Sequence, residues 1–229
     1  MATKESTELD KGSVINFLVQ SGALKFGDFT LKSGRKAPYF INTGSFDDGA
    51  KISTLGKFYA SKLSSLGLTD VDVVFGPAYK GVPLCVATSI ALSSSFGINM
   101  GFSFNRKEAK TRGEGGDFVG KPLTAGMRVV IVEDVVTAGT TLQEVTPLLR
   151  DKVGVKIEGV VILVDRSERG TKECSAVQEA ESDLGIKVHP IVTISDIVAH
   201  LGKPNASGFQ IPSELHDRIN AYREEFGAR

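Results

Sequence analysis

Two unbroken stretches of branched apolar residues, VVIV at 129–132 and VVILV at 160–164, constrain this chain more than any other feature. A strand with one wet face alternates apolar and polar residues. A strand with no alternation is covered on both faces, as in a parallel sheet. Shorter runs, VDVVFGP (71–77), MGFSFN (100–105) and KVHPIVTI (187–194), read as further strands. Between them the apolar spacing changes to a helical one. Ile15, Leu18 and Val19 form one helix, stopped by Gly22. Ile52, Leu55, Tyr59 and Leu63 form a second, closed near Gly67, and VPLCVATSIAL is a third, buried helix. Another holds Leu142, Val145 and Leu148 or Leu149; SAVQEAESDLG follows, and a last helix sets Ile211, Leu215, Ile219, Tyr222 and Phe226 on one face. Strands alternating with helices predict an α/β fold: a central, mainly parallel sheet flanked by helices, in a single domain spanning 1–229. The stretch FGDFTLKSGRKAPYFIN lacks this rhythm and predicts a small N-terminal hood, about 1–45.

Both long strands end in an acid, and the first ends in two, Glu133 and Asp134, followed at once by VVTAGTT. Ligands of open parallel sheets bind beyond the carboxyl ends of the strands. Gly139 lets a ligand approach the backbone, and Thr137, Thr140 and Thr141 add hydroxyls to the free N–H groups of a helix start. That is a phosphate cradle. Carboxylates beside it need another partner, and sugar hydroxyls or a cation supply one. The segment therefore suits a ribose 5-phosphate, although an acid at a strand end also fits an ordinary strand–turn–helix with a polar cap.

Other chemistries find no support. GPAYKG (76–81) has P-loop glycine spacing, but Val82 follows where that motif needs Lys and then Ser or Thr. No G-x-G-x-x-G opens a helix after a strand, and no G-x-S-x-G occurs. His189, His200 and His216 are scattered without zinc spacing. With 27 basic and 27 acidic residues the net charge is zero, so no global field recruits nucleic acid or an anionic membrane. Cys85 and Cys174 read as reduced thiols. MATKESTELDKG lacks a signal peptide's apolar segment, and no run is long enough to span a bilayer, so a soluble, cytoplasmic protein is expected.

VVIVEDVVTAGTT resembles the phosphoribosyl-pyrophosphate (PRPP) motif of type I phosphoribosyltransferases, and GPAYKG resembles their pyrophosphate loop. FNRKEAKTRGEGG and FTLKSGRKAPYF narrow the resemblance to the orotate phosphoribosyltransferases, from about Leu24 to AYREEFG near the C-terminus. The resemblance implies the type I fold and transfer of ribose 5-phosphate from PRPP to orotate, with Mg²⁺ held mainly by PRPP and water. It also implies a homodimer in which a mobile catalytic flap, 105–117, reaches the neighbouring site.

By the same resemblance, Lys107, Lys110, Glu133 and Asp134 are the catalytic residues. PRPP would meet Lys32, Tyr79, Lys80, Arg106, Lys107, Lys110, Arg112, the acid pair, and Val135, Val136, Thr137, Ala138, Gly139, Thr140 and Thr141. Orotate would meet Lys32, Phe40, Ile41, Thr137 and Arg166. Several of these also have plainer readings: the 106–112 cations as a solvated charge run, Lys32 as a turn lysine, Phe40 as core. Arg112 stands where relatives often carry a histidine; it keeps the charge but cannot titrate near neutrality. Relatives often have a second aromatic where Ile41 stands. The resemblance also marks Ala78–Tyr79 as the place for a non-proline cis peptide. A transferase for a neutral base would not need Lys32 and Arg166, and a regulatory PRPP sensor would not need the cationic flap.

Overall fold

The computed structural model describes residues 9–31, 34–108, 116–136, 139–170 and 172–228. Its centre is a six-stranded sheet made of β3 (Val73–Phe75), β4 (Gly101–Asn105), β5 (Phe118–Gly120), β6 (Arg128–Glu133), β7 (Lys156–Asp165) and β8 (Val188–Thr193). Across the sheet the order is β5-β4-β3-β6-β7-β8, with all neighbours parallel except β5, which runs antiparallel to β4. A separate antiparallel hairpin joins β1 (Leu24–Thr30) to β2 (Lys36–Ile41).

The long apolar runs are buried for the reason the pattern implies. Along β6, Val130 and Val132 enter one core, while Val129 and Ile131 enter the core on the opposite face. On β7, Val161 and Leu163 face the first core, and Val160 and Ile162 the second. Each such side chain contributes about 1.5–3 kcal/mol by leaving water. The first face is covered by α1 (Lys11–Gln20), α2 (Gly49–Ser65), α3 (Gly81–Phe96), α6 (Ile194–Leu201) and α7 (Ser213–Phe226). The second is covered by α4 (Thr140–Pro147) and α5 (Ala176–Leu184).

Three local readings are revised. The hood stretch contains regular strands: Phe26 pairs with Tyr39 and Lys25 with Phe40 across the β1–β2 hairpin, with a bulge between Phe26 and Phe29 that hides the alternation. The helix bearing Leu142 and Val145 ends at Pro147 and passes into a π-helical turn, Leu148–Val153, closed by Gly154 in the left-handed region (φ 85°). Ile211 is buried but precedes the last helix, which starts at Ser213 after Pro212. β5, α6 and the 3-10 turn Thr43–Ser45 have no counterpart in the sequence reading. β5 is a three-residue edge strand, too short to show a period. α6 follows β8 without a loop, because Thr193 and Asp196 form a reciprocal capping box.

Candidate active site

The site lies where β6 leaves the core. Glu133 and Asp134 are each 6% exposed, deep for carboxylates. Tyr59, from α2, donates to the Glu133 carbonyl at 2.7 Å, and the Asp134 carbonyl accepts from Leu163 N–H of β7 at 2.9 Å. The side chains are treated unequally. Glu133 Oε1 accepts from the Asp134 N–H at 3.0 Å. Asp134 Oδ1 accepts from Val135 N–H at 2.7 Å, and Oδ2 accepts from Lys80 Nζ at 2.9 Å and Thr43 Oγ1 at 2.5 Å.

Burial, reinforced by the neighbouring Asp134 charge, pushes the Glu133 carboxyl well above the usual range. Burial opposes ionisation of Asp134 too, but the hydrogen bonds from Thr43 and Lys80, the Lys80 charge and the Val135 N–H outweigh it and hold Asp134 below its ordinary value. In the ligand-free pair, Asp134 therefore carries the charge and Glu133 holds a proton to higher pH.

Beyond the acids, Val135 and Val136 pack inward, on opposite faces of the sheet. Thr137 and Ala138 lie outside the described residues. Gly139 takes φ 69° and acts as N-cap of α4, with no side chain closing the cap, so Thr140 and Thr141 open the helix. The first-turn N–H groups of a helix left open in this way suit an anion.

On the neighbouring strand end, GPAYKG folds back on itself. A Cβ on Gly76 would lie 1.9 Å from the Gly81 carbonyl oxygen, so the loop closes only with glycine there. The Ala78–Tyr79 peptide is cis, and the Ala78 N–H donates to Asn105 Oδ1 at 2.8 Å. The turn presents Tyr79, 73% exposed, and places Lys80 against Asp134. Thr43, Phe46, Tyr59, Tyr79, Lys80 and Asp134 border a cavity of about 260 Å³. A second cavity of about 440 Å³ lies between Tyr79, Asn105, Arg106 and Lys107.

The segment 105–117 is the connection of the β4–β5 hairpin. Its base is closed by Arg106 N–H donating to the Asp117 carbonyl at 2.6 Å. Lys107 pairs with Glu144 of α4 at 2.9 Å, and Asp117 pairs with Lys152. Lys110 and Arg112 fall outside the described residues, as does Lys32.

The predicted base pocket draws on the hairpin and the end of β7. Phe40 is 36% exposed and stacks on Phe29 with centroids 5.5 Å apart. Ile41 is half-buried and packs on the first core. Arg166 follows β7 directly; its guanidinium lies 5.3 Å from the Tyr39 ring centroid and its Nη2 is 2.5 Å from Glu168 Oε1. No histidine lines either cavity. His200 Nε2 lies 2.8 Å from Asn16 Oδ1, and His216 Nδ1 lies 3.2 Å from Asn220 Nδ2. His189 is half-buried, and its pKa is lowered, chiefly by burial.

Sequence reasoning missed four groups that hold this site: Thr43, Tyr59, Asn105 and Glu168. Thr43 and Asn105 are 91 and 27 residues from their partners, a separation no local pattern reports.

The phosphoribosyl transferase domain family matches residues 42–188. Orotate phosphoribosyltransferase of Bifidobacterium longum (strain NCC 2705) is 49% identical over 221 residues, covering 93% of this chain and 95% of the relative. That of Clostridium beijerinckii is 45% identical over 220 residues, covering 96% and 98%. The crystal structure of orotate phosphoribosyltransferase from Francisella tularensis superposes with a TM-score of 0.81 at 34% identity, covering 94% of this chain and all of that one. Near-complete relatives at this identity, over a sheet whose strand end carries the acid pair and an open helix start, leave one conclusion: the chain belongs to the orotate phosphoribosyltransferase family.

Proposed function

We propose that this protein transfers ribose 5-phosphate from PRPP to orotate, giving orotidine 5′-monophosphate and pyrophosphate on the route to UMP. The observation that carries the reading is the buried acid pair beside an open helix N-terminus, with Asp134 bordering a cavity and held by Lys80 and Thr43 while the Glu133 side chain, among the described residues, meets only the Asp134 N–H. The leaving pyrophosphate is heavily charged and the ribose carbon becomes cation-like, so catalysis rests on placement and charge stabilisation. Asp134 and Glu133 take the ribose hydroxyls, and the buried Asp134 charge favours the positive sugar. Lys80 exchanges Asp134 for the pyrophosphate as PRPP enters, joined by Tyr79, Arg106 and Lys107, and by Lys110 and Arg112 from the flap. The 135–141 segment binds the 5-phosphate. Lys32, Phe40, Ile41, Thr137 and Arg166 form the orotate site.

Among the described residues no group of three or more His, Cys, Asp or Glu side chains is gathered for a metal. Two hard carboxylates at a phosphate loop suit Mg²⁺ that arrives with PRPP and keeps most of its ligands from PRPP and water. Bound in that way, the ion would neutralise the pyrophosphate.

We further assign residues 1–45 to a hood and 105–117 to a mobile flap within one domain, in a homodimer whose flaps serve the neighbouring site. Exposed Tyr79 in the turn before α3, Ile90 on α3 and Phe102 on β4 are large apolar groups of the kind an interface covers. Among the described residues no helix is long and apolar enough to cross a membrane. Both cysteines are free, which suits the cytoplasm. The test is turnover of orotate, uracil and hypoxanthine with Mg·PRPP. Orotate should be preferred by at least about two orders of magnitude, since its site would pair the buried Arg166 cation with the orotate carboxylate. Equal or better turnover of a neutral base would overturn the assignment.

A further inference from the structure

Arg166 is held by a buried cluster. Glu168 Oε1 accepts three hydrogen bonds: from Arg166 Nη2 at 2.5 Å, Tyr222 Oη at 3.0 Å and Tyr39 Oη at 3.1 Å. Its other oxygen lies 3.6 Å from Arg35 Nη1. The cluster joins three parts of the chain: Arg35 and Tyr39 from the hairpin, Arg166 and Glu168 from the loop after β7, and Tyr222 from α7. Arg35 and Tyr222 are themselves anchored, since Phe226 packs on both. The side chains of Arg166 and Glu168 are only 12% and 14% exposed. Burial is the largest single influence and works against the Arg166 charge; the Glu168 carboxylate, Tyr39 and Tyr222 together outweigh it and raise the guanidinium above its ordinary value. One guanidinium edge is committed to Glu168, whereas Nε is buried with no hydrogen-bond partner among the described residues.

A guanidinium is a rigid planar fork, so fixing one edge fixes where the rest points. The Arg166 guanidinium lies over the Tyr39 ring, 5.3 Å from its centroid, and Tyr39 is followed directly by Phe40, the proposed wall of the base slot. We infer that Glu168, supported by the hydroxyls of Tyr39 and Tyr222, is a positioning residue that aims Arg166 at the carboxylate of the pyrimidine substrate. Glu168 touches no substrate; it sets orotate affinity and the discrimination against bases lacking a carboxylate. This inference rests on the assignment of Arg166 to the base carboxylate made above.

The experiment measures the KM for orotate and for PRPP in Glu168→Gln, Arg166→Gln and the double variant, with thermal midpoints. Glutamine keeps an oxygen for both tyrosines but loses the charge that holds the guanidinium. Glu168→Gln should raise the orotate KM about tenfold and leave the PRPP KM within about twofold, the size expected for a charged hydrogen bond felt at one ligand only. In the Arg166→Gln background it should add nothing, because the group it positions is gone. An unchanged orotate KM in Glu168→Gln, or a parallel rise in both KM values, overturns the inference. If Arg166→Gln itself leaves the orotate KM unchanged, the base-site assignment has failed instead. Should Glu168→Gln not fold, Tyr222→Phe removes one support at a distance from the base. It should raise the orotate KM about two- to threefold, and no change in a folded Tyr222→Phe protein overturns the inference.

Discussion

Asp134 and Glu168 are both carboxylates sunk at the same end of the sheet, yet they are held in opposite ways. Asp134 relies on Lys80, whose side chain is 63% exposed, on the Thr43 hydroxyl and on a backbone N–H. Glu168 is shared by two guanidiniums and two phenols from three parts of the chain. A long exposed lysine can leave its partner at little cost, so Asp134 can be handed to an incoming ligand. A carboxylate that satisfies several buried donors cannot move without orphaning all of them. The same chemical group is thus displaceable in one place and fixed in the other.

Breaking the comparison should separate activity from stability. Asp134→Asn should lose about 10²–10³ in kcat/KM, as for loss of one group aimed at developing charge, while its thermal midpoint moves little. Glu168→Gln should show the reverse balance, with a midpoint several degrees lower and a smaller loss of kcat. If calorimetry finds Asp134→Asn as unstable as Glu168→Gln, the distinction between displaceable and fixed carboxylates fails.

The next effect is in pH dependence. Glu133 has a folded pKa raised from an ordinary 4.5 to about 8, so its ionisation opposes folding and the ligand-free protein loses stability as pH rises through that window. Asp134 works the other way: its contribution is present above its ordinary pKa and is lost as pH falls through the lowered one. Urea midpoints of the wild type and Glu133→Gln should therefore diverge from about pH 5 to about pH 8, the glutamine chain gaining about 1 kcal/mol or more. Parallel curves would mean that Glu133 ionises normally.

The smallest effect tests the Thr43 link. Thr43→Val removes one hydroxyl from Asp134 Oδ2 and leaves Lys80 and the Val135 N–H in place. A loss of about 1 kcal/mol, read as roughly three- to tenfold in kcat/KM, is expected. An effect as large as that of Asp134→Asn would make Thr43 more than a helper.

The central sheet was legible because a doubly covered strand needs apolar side chains on both faces, as Val129 to Val132 display. The acid pair, the glycine at 139 and the GPAYKG turn were legible because each is a run of neighbours whose chemistry is local. The β1–β2 pairing was not, since its bulge breaks the period, and β5 was too short to have one. Glu168 was not legible either, since nothing beside it in the chain announces Tyr39 or Tyr222.

By itself the sequence determined the α/β alternation, the strand ends at which a ligand can sit, and the residue types offered there, because these depend on periodicity and on adjacent side chains. The tertiary structure alone decided which of the two acids keeps its proton, that Lys80 guards Asp134, and that Glu168 holds Arg166. Burial and charge pairing depend on distances between residues far apart in the chain, and folding alone sets those distances.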